Sequence, residues 1–120
     1  MISGIVTEDG VPLVTLRLDD EDWVAIIDTG FNGSLELPAP LSTRLKTETL
    51  GFIDAELAAG VTIREELFEI QIDFDGEPVA AQATFADVRF VLIGTRLLAR
   101  HRLEIDFVSG TVRLTKAQEF

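Results

Sequence analysis

One short segment of this chain gathers the residues best suited to chemistry. Asp28 ends an unbroken apolar run, Trp23-Val24-Ala25-Ile26-Ile27, and is followed by Thr29, Gly30, Phe31, Asn32 and Gly33. Such a run reads as a strand buried on both faces. A carboxylate at its end is costly unless it is hydrogen-bonded or neutralised. The following residues can meet that cost: Thr29 offers a hydroxyl, Gly30 permits a tight turn and close approach of backbone N–H groups, and Asn32 and Gly33 extend the turn. A carboxylate held in this way can serve as a general acid or base. It can equally cap a turn, as many aspartates do. A second apolar run, Phe90-Val91-Leu92-Ile93, leads into Gly94-Thr95. The segments Ile26-Ile27-Asp28-Thr29 and Leu92-Ile93-Gly94-Thr95 echo one another, with glycine in place of aspartate.

Other chemistries find little support. The chain has no cysteine, which excludes thiol catalysis, disulfides and cysteine–zinc sites. Its single histidine, His101, lies between Arg100 and Arg102 and reads as a solvated or helix-end residue, and no His/Glu cluster suits zinc. Asp73 and Asp75 flank Phe74 without calcium-loop spacing and read as a solvated hairpin end. Trp23 reads as core or interface packing. No metal or cofactor is therefore expected. Ten basic and 21 acidic residues give a net charge of −11, which disfavours nucleic acid and acidic membrane surfaces and suits neutral or basic peptides. No apolar run approaches the roughly 20 residues needed to span a bilayer. The first residues do not read as a signal peptide, so the cytoplasm is the default expectation.

The elements that must position Asp28 are short and β-rich. Residues 2–7 and 12–18 flank Glu8-Asp9-Gly10 as a hairpin, and Val14-Thr15-Leu16-Arg17-Leu18 alternates as a half-buried strand should. The acidic residues 19–22 turn the chain into the apolar run before Asp28. Leu35-Glu36-Leu37 alternates ahead of Pro38 and Pro40, and residues 39–46 suit a short helix. Strands are expected at 48–57, 61–74, 77–85 and 89–93, with turns at Ala58-Ala59-Gly60 and Asp75-Gly76. Residues 94–100 carry a helical pattern with Leu97 and Leu98 inward. Residues 103–107 and 111–114 form a last hairpin around Ser109-Gly110, and residues 116–120 read as a frayed tail. With 47% apolar residues and no linker, residues 1–120 are expected to form one all-β domain, a sandwich or barrel.

The motifs taken in order resemble the retropepsin-like (clan AA) aspartic peptidases, in particular their small bacterial and archaeal members. The residues are Asp28-Thr29-Gly30-Phe31-Asn32-Gly33-Ser34-Leu35-Glu36-Leu37-Pro38, then Leu57-Ala58-Ala59-Gly60 at the position of the family's flap, then Leu92-Ile93-Gly94-Thr95-Arg96-Leu97-Leu98. The resemblance spans roughly residues 14–114. It implies a closed acid-protease barrel with one short helix near the C-terminus and an active site at a subunit interface. One Asp-Thr-Gly per chain, with Gly94 at its echo, implies a homodimer in which two copies of Asp28 form the catalytic pair and hydrolyse a peptide or protein substrate with activated water. Thr29 and Gly30 would complete the active-site loop. Phe31, Asn32, Ala58, Ala59 and Gly60 would contact substrate, and Ile93 and Gly94 would support the loop structurally. The alternative is a catalytically weak peptide-binding or scaffolding module of the same fold. Three residues depart from the viral pattern. Phe31 replaces a small residue and narrows the cleft. Asn32 and Thr95 stand where viral enzymes pair an acid with an arginine, and Arg96, one residue further on, points elsewhere in a regular helix. The flap turn carries the single glycine Gly60.

Overall fold

A computed structural model describes residues 1–119. Alternating apolar residues build ten strands in one sheet: β1 (Ile2–Val6), β2 (Pro12–Leu18), β3 (Glu21–Ile27), β4 (Leu35–Pro38), β5 (Thr47–Glu56), β6 (Thr62–Phe74), β7 (Glu77–Ala86), β8 (Val91–Ile93), β9 (His101–Asp106) and β10 (Thr111–Lys116). Their spatial order is β5-β6-β7-β4-β8-β3-β2-β1-β10-β9. Most neighbours are antiparallel hairpins, but β3 and β8 run parallel, as do β4 and β7. Parallel pairs need long crossovers, and these bring the two apolar runs of the sequence side by side. The all-β expectation holds.

The turns follow residue chemistry. β2 and β3 are joined by Asp19 and Asp20 at φ 51° and 59°, and β6 and β7 by Asp75 and Gly76 at φ 54° and 79°. These left-handed pairs match the twist of two-residue hairpins. Arg44 steadies the first turn, donating to Asp19 at 2.8 Å and Glu21 at 2.7 Å. Asp75 is not solvated, as its sequence setting suggested: its side chain is 8% exposed and accepts from the Met1 ammonium at 2.6 Å. His101 likewise lies against the Phe74 ring, centroids 5.2 Å apart, rather than in solvent.

One face of the sheet forms the core. Leu35, Leu37, Ile93, Val91 and Leu114 are essentially solvent-free, and β2 reaches β6 across the interior although the two are not neighbours in the sheet. Truncating such a residue costs about 2–5 kcal/mol.

Two expectations need correction. The sheet is not a closed barrel: β5 and β9 are its open edges. Closure would require β5 to reach β9, but the outer part of the β5–β6 hairpin projects as an arm that leaves Leu50, Phe52, Leu57 and Val61 exposed. Nor do residues 94–100 form a helix; residues 95–100 are a string of turns. The N–H groups of Gly94, Thr95 and Arg96 donate to the carbonyls of Ser34, Phe31 and Gly33, and Leu98 bonds back only three residues, to Thr95. With β9 beginning at His101, too little chain remains for a cooperative helix. At 39–46 a 3-10 turn forms over Ala39–Thr43. The expected frayed tail is held at Ala117, whose N–H donates to the Arg100 carbonyl at 2.8 Å, and Ala117–Glu119 form a 3-10 turn; Phe120 lies outside the described residues.

Candidate active site

Asp28 follows directly on β3 and is half-buried. Its backbone N–H donates to the Ile93 carbonyl at 2.9 Å, one step beyond the pairing of Ile27 with Ile93. The loop is thereby tied to β8. Gly30 N–H donates to the Asp28 Oδ1 at 3.0 Å, and Phe31 N–H to the Asp28 carbonyl at 3.1 Å. The tight turn expected after Asp28 is present, and an amide donor meets part of the carboxylate's need for hydrogen bonds.

Gly94 makes this arrangement possible. A Cβ there would lie 2.1 Å from the Gly33 carbonyl oxygen and 2.7 Å from the Phe31 ring and carbonyl. Gly33 is bare for a similar reason, since its Cβ would meet the Phe31 ring at 2.6 Å. Phe31 is therefore accommodated by two glycines far apart in sequence, and its ring packs against both. Thr95 adds a hydroxyl bond to the Phe31 carbonyl at 3.4 Å.

A groove of about 540 Å³ runs between this loop and the β5–β6 arm. Gly30, Phe31 and Asn32 line one side, and Ile53, Ala55 and Leu67 of the arm line the other. Thr29 is exposed beside it. The arm's tip, Ala58, Ala59 and Gly60, is exposed and does not line the groove of the single chain, whereas Ile93 and Gly94 lie buried behind the loop. Ala59 adopts φ 66° beside Gly60 at φ 73°, so the tip holds a left-handed conformation at a residue with a side chain.

The neighbours of Asp28 on its face of the sheet escaped sequence reasoning. Strand alternation places Ile26 and Asp28 of one run, Leu92 of β8, Glu36 of β4 and Thr84 of β7 on one face, because Ile26 pairs with Leu92, Leu92 with Glu36, and Glu36 with Thr84. Leu67 and Glu65 of β6 continue that face into the groove. The Glu36 carboxyl is held above the usual carboxylate range, first by burial, then by the charges of Glu65 and Asp28. Arg96 also lines the groove; the turn structure after Gly94 directs it there, contrary to the helical expectation. The available signal was the charged Glu36 between buried Leu35 and Leu37, but the cross-strand partners set by crossovers are invisible locally. Among the described residues no cluster of three or more potential metal-ligating side chains occurs.

No protein-family model matches the sequence, and no curated protein matches it. Solved structures do resemble the fold. A retropepsin-like aspartic protease from Rickettsia conorii superposes with a TM-score of 0.65 at 15% identity, covering 93% of this chain and 87% of that one. The EIAV protease complexed with the inhibitor HBY-793 gives 0.61 at 14% identity over 78% of this chain and 89% of its own. The Simian Foamy Virus (mac) protease gives 0.56 at 11% identity over 72% and 91%. The chain has a retropepsin-like fold. At these identities the likeness is one of architecture.

Proposed function

We propose that this chain is an aspartic endopeptidase, one domain over residues 1–120, that works as a homodimer with one Asp28 from each copy. The observation that carries the reading is the attachment of the Asp28 backbone to Ile93 within a retropepsin-like fold, which ties down the start of the loop whose residues Gly30, Phe31 and Asn32 line the groove. A single chain offers one such carboxylate, with Gly94 at the echoing position. A twofold axis beside the loop supplies its mate.

Two carboxylates a few ångströms apart cannot both be charged, so the pair holds one proton. The charged Asp28 accepts a proton from water as that water attacks the peptide carbonyl carbon. The protonated Asp28 donates a hydrogen bond to the carbonyl oxygen, and the proton passes to the leaving amine as the C–N bond breaks. Exposed Thr29 is free to bond across the axis and hold the two loops in register. Gly30 leaves room for substrate backbone. The arm, with its exposed apolar residues, closes on an extended peptide through strand-like hydrogen bonds and excludes water.

The direct test is cleavage of an unfolded polypeptide by wild type and D28N. Cleavage that pepstatin inhibits and D28N abolishes supports the reading; equal turnover by both chains refutes it. Binding of the same polypeptide without turnover by either chain supports a peptide-binding module instead.

A further inference from the structure

Because Ile53 pairs with Glu65 and Ala55 with Ile63, residues Ile53, Ala55, Ile63, Glu65 and Leu67 share one face of the arm, on which Glu65 is the charged residue; Asp54 and Glu56 of β5 also line the groove. Arg64 faces the other way, with its guanidinium 4.7 Å from the centre of the Phe52 ring. Thr84 lines the groove together with Glu65, and Glu36, its register partner on the adjacent strand, is near enough to feel the Glu65 charge. Among the described residues neither Glu36 nor Glu65 forms a salt bridge. The basic residue that lines the groove, Arg96, stands with the loop residues 30–34.

Thr84 supplies an independent sign that something is missing. It is 5% exposed and lines the groove, yet its Oγ1 is buried without a hydrogen-bond partner. Its β4 neighbour is the half-buried carboxylate Glu36. A buried hydroxyl without a partner costs free energy that a ligand donor would recover.

We infer that Glu65, Glu36 and Thr84 form a subsite for a lysine or arginine side chain of the bound peptide. A lysine ammonium has three donors and no acceptor. Two carboxylates and one hydroxyl supply acceptor oxygens enough for all three donors, while Ile53 and Leu67 cover the aliphatic stem. The elevated proton affinity of Glu36 fits, since burial and two neighbouring negative charges leave the site short of positive charge. Glu65, on the arm, would also draw the arm down when the cation binds. This deepens the peptidase reading by naming a substrate class, and it rests on that reading only for the orientation of the peptide.

The test separates the two. The D28N chain, which lacks the proposed catalytic carboxylate, is titrated with fluorescent extended peptides carrying lysine, norleucine or glutamate at one scanned position. Lysine is expected to bind about tenfold or more tightly than norleucine at one position, and glutamate most weakly. E65Q should remove the lysine advantage, and the charge-reversed E65K should favour glutamate there. T84V, of similar volume, should weaken lysine binding more than norleucine binding. Circular dichroism confirms that each variant is folded. Equal affinity for the three peptides at every position overturns the subsite, as does a lysine preference that survives E65Q and E65K. Wild-type failure to cleave any peptide, with lysine selectivity intact, removes the peptidase reading and leaves the subsite standing.

Discussion

The backbone N–H of Asp28 bonds to the carbonyl of Ile93 at 2.9 Å, so the acidic loop is held by a strand that lies more than half the chain away in sequence. Gly94 follows Ile93 under the Gly33 carbonyl, where a methyl group would lie 2.1 Å from that oxygen. Real Cβ atoms do not approach backbone so closely, and neither side of the contact is a flexible side chain. G94A should therefore destabilise the chain by about 3 kcal/mol or more. Urea denaturation measures this directly. Wild-type stability in G94A would show that the two loops are not packed as described.

The arm's tip carries a correctable strain. Ala59 sits at φ 66°, a region that costs an L-residue about 1 kcal/mol and glycine almost nothing. A59G should stabilise the β5–β6 hairpin by up to about 1 kcal/mol. Native-state hydrogen exchange of the arm's amides should slow accordingly, and in A59V it should quicken. Faster exchange in A59G would mean that the tip does not hold this conformation.

Glu36 links pH to stability. Its folded-state pKa is raised, so its contribution is fully present below the unfolded-state value and is lost as pH rises through the folded one. E36Q should therefore be more stable than wild type at neutral pH, with the difference vanishing below the ordinary glutamate range. Because the side chain is only half-buried, solvent screening keeps the gain under about 1 kcal/mol. Thermal unfolding of both chains from acid to neutral pH tests the sign. A gain confined to acid pH would contradict it.

Self-association of a chain with net charge −11 works against its own field. Added salt shortens the screening length to roughly 10 Å at 0.1 M. The dimer should tighten with salt up to that range and with mild acid, which neutralises carboxylates on both copies. Sedimentation across ionic strength and pH follows this. Weaker association at higher salt would place complementary charges, not like ones, across the interface.

The strands were legible because their cause is local. Alternation along Val14–Leu18 and the left-handed pair Asp75-Gly76 mark a strand and a turn within a few residues, and both are present. The Asp28 loop was visible too, because a carboxylate ending an apolar run is chemically odd. What escaped depends on distant partners. Residues 94–100 keep a helical pattern, but their leading amides are committed to the Phe31–Ser34 loop. Asp75 reads as a surface turn until the chain's first residue comes to lie against it. Glu36 and Thr84 become neighbours only through a parallel crossover, and no window of sequence contains both. The packing of Phe31 was hidden because one of the two glycines that accommodate it, Gly94, lies far from it in sequence.

The measurement that bears most directly on the paired-carboxylate reading is subunit mixing. Wild type and D28N are combined in equal amounts under conditions where dimers exchange, and cleavage of an unfolded polypeptide is compared with that of wild type alone at the same total concentration. If each active site needs one Asp28 from each chain, random pairing leaves only wild-type dimers active and the rate falls to about a quarter. A rate of about half, following the wild-type fraction alone, would mean that one chain suffices and would contradict the account.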